Sequence, residues 1–109
     1  MRLLLIALAL LSLSSSAFSQ TMAPESNITL VRTGWELDSF AVVTTDPIIN
    51  PAACPTPDGY ISAMNFRGYR TYYDAVLTAL TSDLPVTIVV HNTQCFQGRP
   101  RIIGINFGR

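Results

Sequence analysis

The spacing of hydrophobic residues along this chain moves from one unbroken run to alternation, then to a helical period, then back to alternation. The unbroken run is residues 3–11, nine apolar positions behind Met1 and Arg2. Alternation begins at 28–33, with Ile28, Leu30 and Arg32 on one side and Thr29, Val31 and Thr33 on the other, as in a strand. Gly34 then permits a turn or bulge. A second strand is predicted over 37–45, with Phe40 and Val42 opposite in facing to Ala41 and Val43. Residues 46–59 carry four prolines and end in Asp58-Gly59, which predicts a loop. Weaker alternation over 60–66 predicts a third strand.

The period then changes. Tyr69, Tyr72, Tyr73, Val76, Leu77 and Leu80 share one helical stripe, which predicts a helix over 69–82. Thr71 and Asp74 have the spacing of a capping pair, and Pro85 stops the helix. Residues 86–90 are rich in β-branched side chains and give the strongest strand signal. A loop over 91–99 leads to a last strand over 101–107, where Ile103, Ile105 and Phe107 share a face against Ile102, Gly104 and Asn106. Three strands, a helix and two strands is the order of a five-stranded Greek-key barrel of the oligonucleotide/oligosaccharide-binding (OB-like) type. An open antiparallel α+β sheet with one helix fits the same order. In either case the fold class is mainly β with one helix.

The first run changes the picture of domain organisation. A basic start, an apolar stretch and small residues at Ala17 and Ser19 form a secretory signal peptide, residues 1–19, cut after Ser19. A spanning helix needs about 20 apolar residues, so a membrane anchor fits less well. Residues 20–27 mix Pro, Ser and Glu without a period and read as a flexible leader, which leaves 28–109 as a single domain. The expected location is secreted or periplasmic.

Six arginines, no lysine and seven acids remain after the signal, one net negative charge. That balance carries no electrostatic footprint for nucleic acid or for insertion at an anionic membrane. Cys54 and Cys95 are the only cysteines, and in an exported chain an even pair predicts a disulfide. His91 is the only histidine, too few soft ligands for a structural zinc site, so no metal or cofactor is expected.

Cys54, the tyrosine-rich helix, the Pro85-Val86-Thr87-Ile88 strand start and Cys95 with Gly98-Arg99-Pro100-Arg101 resemble a known group. They resemble small exported proteins related to the receptor-binding B subunits of bacterial AB-type toxins, of the subtilase-cytotoxin and typhoid-toxin type. The resemblance runs from about Trp35 to the C-terminus and rests on architectural residues. One disulfide and a shorter C-terminal segment depart from the pattern, and no position matches the glycan-contacting serine of those subunits. The resemblance implies a glycan or glycosylated receptor as partner, a ring-like homo-oligomer (a pentamer) and a larger secreted partner subunit. The helix face with Thr71, Asp74, Thr78 and Thr81 is short-chained enough for such packing.

Candidate ligand-binding residues are Trp35, His91, Asn92, Gln94, Phe96, Gln97 and Arg99. Trp35 offers an aromatic face for a sugar ring or a base, against the simpler role of capping the core. The 91–99 segment sets amides, an arginine and an aromatic side by side, which suits a polyhydroxyl ligand. No G-x-S-x-G or comparable signature supports catalysis. An RNA-cleaving or hydrolytic site would have to be built on His91 with Glu36 and Arg99. The expectation is therefore a non-catalytic exported binding module, with a structural or inhibitory partner of another secreted protein as the alternative. Asn27-Ile28-Thr29 fits a glycosylation acceptor, meaningful only in a eukaryotic cell, whereas the signal and the resemblance favour a bacterium.

Overall fold

The computed structural model describes residues 19–34 and 36–108; the apolar run and all of the expected signal except Ser19 lie outside them. The described chain forms β1 (Gln20–Met22), β2 (Ile28–Thr33), β3 (Ser39–Thr44), β4 (Tyr60–Ala63), α1 (Tyr69–Ser82), β5 (Val86–Phe96) and β6 (Arg99–Phe107). It is mainly β with one helix. The strand order is β1-β5-β6-β4-β3-β2. Neighbours are antiparallel except β4 and β6, which run parallel at Ile61 and Arg101.

Strand number and strand direction both differ from expectation. The sheet has six strands and is mixed, so neither a five-stranded set nor a purely antiparallel sheet describes it. The extra strand comes from the segment expected to be a leader. Gln20, Thr21 and Met22 pair with His91, Val90 and Val89. A strand of three residues shows no period; it forms because β5 offers it a row of unpaired backbone groups.

β1 and β2 stand at opposite ends of the strand order yet are only five residues apart. Ala23 donates its N–H to the Ile88 carbonyl (2.8 Å), and Ser26 and Val86 exchange two backbone hydrogen bonds (2.9 and 2.8 Å). Residues 20–26 thus run beside β5, while 28–33 run beside β3.

Bulges redirect the alternation. A register shift between Ile28 and Leu30 turns Ile28 and Val31 to the core and leaves Leu30 exposed. A second shift at Val89/Val90 lets Ile102 and Ile105 both pack inward, where strict alternation separates them. The core gathers Phe40, Val42, Tyr60, Val76, Val86, Ile88, Val90 and Ile102.

The helix has its expected bounds but a different start. Gly68 is its N-cap in a left-handed conformation, no side chain caps it, and no acid lies in the first turn, so Thr71 and Asp74 form no capping pair. Val76 and Ala79 are the buried positions, while Leu77 and Leu80 sit at the edge of the buried stripe. Tyr69 and Tyr73 pack on Phe40 with ring centroids 5.6 and 5.2 Å away, and the Tyr72 hydroxyl donates to the Ile103 carbonyl (2.8 Å).

The expected loop over 91–99 is mostly strand. β5 continues to Phe96 and β6 begins at Arg99, joined by Gln97-Gly98 with φ of 51° and 79°. Positive φ at both central residues is the two-residue hairpin turn that matches strand twist. A Cβ on Gly98 would lie 3.0 Å from the Thr56 hydroxyl, so this turn also needs glycine for space.

Candidate functional site

Two places on the molecule gather polar and aromatic groups: the β5–β6 hairpin tip and the region where the β2–β3 turn meets the helix start. At the tip, the Cys54–Cys95 disulfide ties the 46–59 loop to β5. Asn50 brackets Cys54, donating to its carbonyl (2.9 Å) and accepting from its N–H (2.8 Å). The Ile49 N–H donates to the buried Tyr60 hydroxyl (2.9 Å), and burial raises that phenol's pKa. Thr56 donates its N–H to the Gly98 carbonyl (2.8 Å).

Arg99 reaches across to Asp58 with two nitrogens, Nε at 2.5 Å and a terminal nitrogen at 3.2 Å, while Arg32 stands 3.6 Å from the same carboxylate. The Arg99 hydrogen bond, helped by the positive charge of both arginines, holds the Asp58 carboxyl below the usual range.

The remaining hairpin candidates also turn inward on the chain. His91 accepts at Nδ1 from the N–H groups of Thr93 and Gln94, both at 3.1 Å, which places its ring proton on Nε2 in the neutral form. Asn92 accepts from the Thr21 hydroxyl through its side-chain oxygen. Gln94 accepts from Arg101. Phe96 meets Phe66 edge-on at 5.1 Å, and the Arg101 guanidinium lies 4.0 Å over the Phe66 ring. Gln97 occupies the turn and lends its carbonyl to Arg99 (3.0 Å). Trp35 lies outside the described residues.

The second place is concave. Three adjoining open depressions, of about 340, 260 and 310 Å³, share Asp38 and Tyr69 in their walls. Met64, Phe66 and Arg70 complete the first, Tyr73 and Asp74 the second, and Leu37 and Gly34 border the third.

The β2–β3 turn presents Asp38. Gly34 and Glu36 both take positive φ, the Ser39 hydroxyl donates to the Gly34 carbonyl (2.9 Å), and the Asp38 carbonyl accepts from the Met64 N–H (2.9 Å). The Asp38 carboxylate and the Arg70 guanidinium form no ion pair or hydrogen bond with a described residue. Partial burial raises the Tyr69 phenol pKa, and the negative charge of Asp38 adds to it.

Nothing in the sequence pattern groups Asp38, Met64, Phe66, Tyr69 and Arg70. Phe66 joins the two places, since its ring packs on Phe96 and also lines the first depression. Among the described residues, no three His, Cys, Asp or Glu side chains come together as metal ligands, and no helix is long and apolar enough to cross a membrane. Set against protein-family models, curated proteins and solved structures, the chain matches none.

Proposed function

We propose that this chain is an exported, non-catalytic binding module that holds a glycan at the depressions around Asp38 and Tyr69. The observation that carries the reading is the convergence of three depressions on one carboxylate and one tyrosine. A sugar ring presents an apolar C–H face and a rim of hydroxyls. Tyr69, Phe66 and Tyr73 supply flat apolar surface, Asp38 accepts from hydroxyls, and Arg70 donates to ring or carbonyl oxygens.

A barrel enters this proposal in a finer form. Residues 20–33 act as one long bent strand whose first half closes on β5 and whose second half pairs with β3; the Ser26–Val86 bridge supports this closure. Such an OB-like barrel agrees with the resemblance to toxin B subunits. That resemblance also proposes a ring-like homo-oligomer, for which the exposed helix positions Thr71, Asp74, Thr78 and Thr81 offer a short-chained face. Light scattering that returns a monomer mass at micromolar concentration removes the ring.

A second reading, a structural or inhibitory partner of another secreted protein, draws on Met64 and Leu37, apolar side chains 63% and 40% exposed at the walls of these depressions. A glycan-array screen of the disulfide-intact protein separates the two. The glycan reading expects binding that Asp38→Asn weakens at least tenfold while the fold is kept. A clean negative across sialylated, neutral and bacterial glycans favours the partner reading. His91, held at Nδ1 by two backbone amides, serves as a turn brace in either case.

A further inference from the structure

We infer that the exported chain begins at Gln20 and that Gln20 closes on itself to form an N-terminal pyroglutamate. The cut rests on the export reading, and the ring closure rests on the geometry of β1. Ala17 and Ser19 are the small residues a signal peptidase reads, which puts Gln20 first in the mature chain. Gln20 is also the first residue of β1.

Hydrogen bonding in an antiparallel pair alternates along the strand. Asn92 donates its N–H to the Ser19 carbonyl (3.0 Å), and Ala23 donates its own to Ile88 (2.8 Å). Gln20, opposite His91, therefore falls at a non-hydrogen-bonded position with its nitrogen directed away from β5. Cutting the Ser19–Gln20 bond takes the Ser19 carbonyl from the ladder and leaves the rest of β1 in place. Thr21 stays opposite Val90, with its hydroxyl donating to Asn92. The new amine then sits at the end of an anchored strand, and the exposed Gln20 side chain makes no hydrogen bond with a described residue.

The chemistry needs no co-reactant. An α-amine has a pKa of about 8, so a fraction is neutral in neutral solution. Its nitrogen attacks Cδ of the same side chain, a new C–N bond closes a five-membered lactam, the carboxamide C–N bond breaks, and ammonia leaves. The product has neither a primary amine nor its positive charge.

The test is the intact mass of the full chain expressed with its own leader in an exporting bacterial host and purified without reductant. The expected mass is that of residues 20–109 less two hydrogens and one ammonia. Stepwise N-terminal sequencing should be blocked until a pyroglutamyl peptidase removes the first residue. Gln20→Ala should be cut at the same place, start with a free amine and lose no ammonia, which separates this reaction from ammonia loss at an asparagine. A chain that begins at Gln20 and keeps its amine through storage at neutral pH overturns the ring closure while leaving export intact. A chain that begins elsewhere overturns the inference through its cut site, and an uncleaved chain overturns it together with the export reading.

Discussion

The hairpin tip and the Asp38 depression carry the same kinds of side chain and use them in opposite ways. At the tip, Arg99 and Asp58 face each other, Gln94 meets Arg101, and Phe96 meets Phe66. Around Asp38, two carboxylates, an arginine and two tyrosines border open space, and neither Asp38 nor Arg70 meets a charged partner among the described residues. Polar composition alone does not separate a brace from a binding surface; the separation lies in whether the chain already supplies the partner.

The strongest way to break this contrast is to unlock the tip. Replacing both cysteines, Cys54→Ala with Cys95→Ala, frees two residues 41 apart in sequence. The loop-entropy estimate for that span is about 4 kcal/mol of stability. Denaturant unfolding should show the loss, and adding reductant to the native protein should reproduce it. The surface around Asp38 should keep its shape wherever the variant stays folded.

Next in size is Tyr60→Phe. It removes the acceptor for the Ile49 N–H beneath the 46–59 loop, at an expected cost of about 1–2 kcal/mol in unfolding free energy. Little change would mean that water replaces the hydroxyl and that the disulfide, the Thr56–Gly98 hydrogen bond and the Asp58–Arg99 pair hold the loop without it.

Asp58→Asn should cost less than about 1 kcal/mol, because the carboxylate is 45% exposed and screened. Its signature is the pH dependence. The folded pKa is depressed, so the stabilisation is present above the unfolded value of about 3.9 and is lost as pH falls through the folded one. The variant should flatten the acid limb of a stability–pH curve below about pH 4, and added salt should narrow the gap between the two proteins.

The smallest expected effect on stability is Asp38→Asn, within about 0.5 kcal/mol for a surface carboxylate with no ion pair among the described residues. The same change should give the largest effect on the glycan binding proposed above. If it destabilises the fold by more than Asp58→Asn does, Asp38 is a structural residue and the contrast between tip and depression fails.

Much of the framework is legible in the residues. The helix can be read at its observed bounds because its period of Tyr, Val and Leu is long and unbroken, and Pro85 limits it. The cysteine pairing is legible from the even count and from the export that the first residues lead one to expect. What escapes reading depends on partners distant in sequence. Gln20–Met22 has no pattern and becomes a strand through Val89, Val90 and His91. His91-Asn92-Thr93-Gln94 is polar on every side, so its continuation of β5 past Val90 is set by pairing and by a wide register shift.

The depression is hidden for a related reason. Asp38 comes from a turn, Met64 and Phe66 lie just past β4, and Tyr69 and Arg70 open the helix. Taken one at a time they read as a solvated acid, apolar residues ending a strand and a helix stripe; only the fold makes them neighbours.

The path of residues 20–26 along β5 also bears on the order in which this molecule can assemble. Residues 20–26 take their partners from residues 86–92, which the ribosome makes only after β2, β3, β4 and α1. Until those residues emerge, the N-terminal segment has nothing to dock against, and its hydrogen bonds go to water. Pairing between segments this far apart in sequence lengthens the search and slows folding. A protein wired this way stays pliable through synthesis and closes its β1 edge only after β5 has been made, which fits the export proposed above.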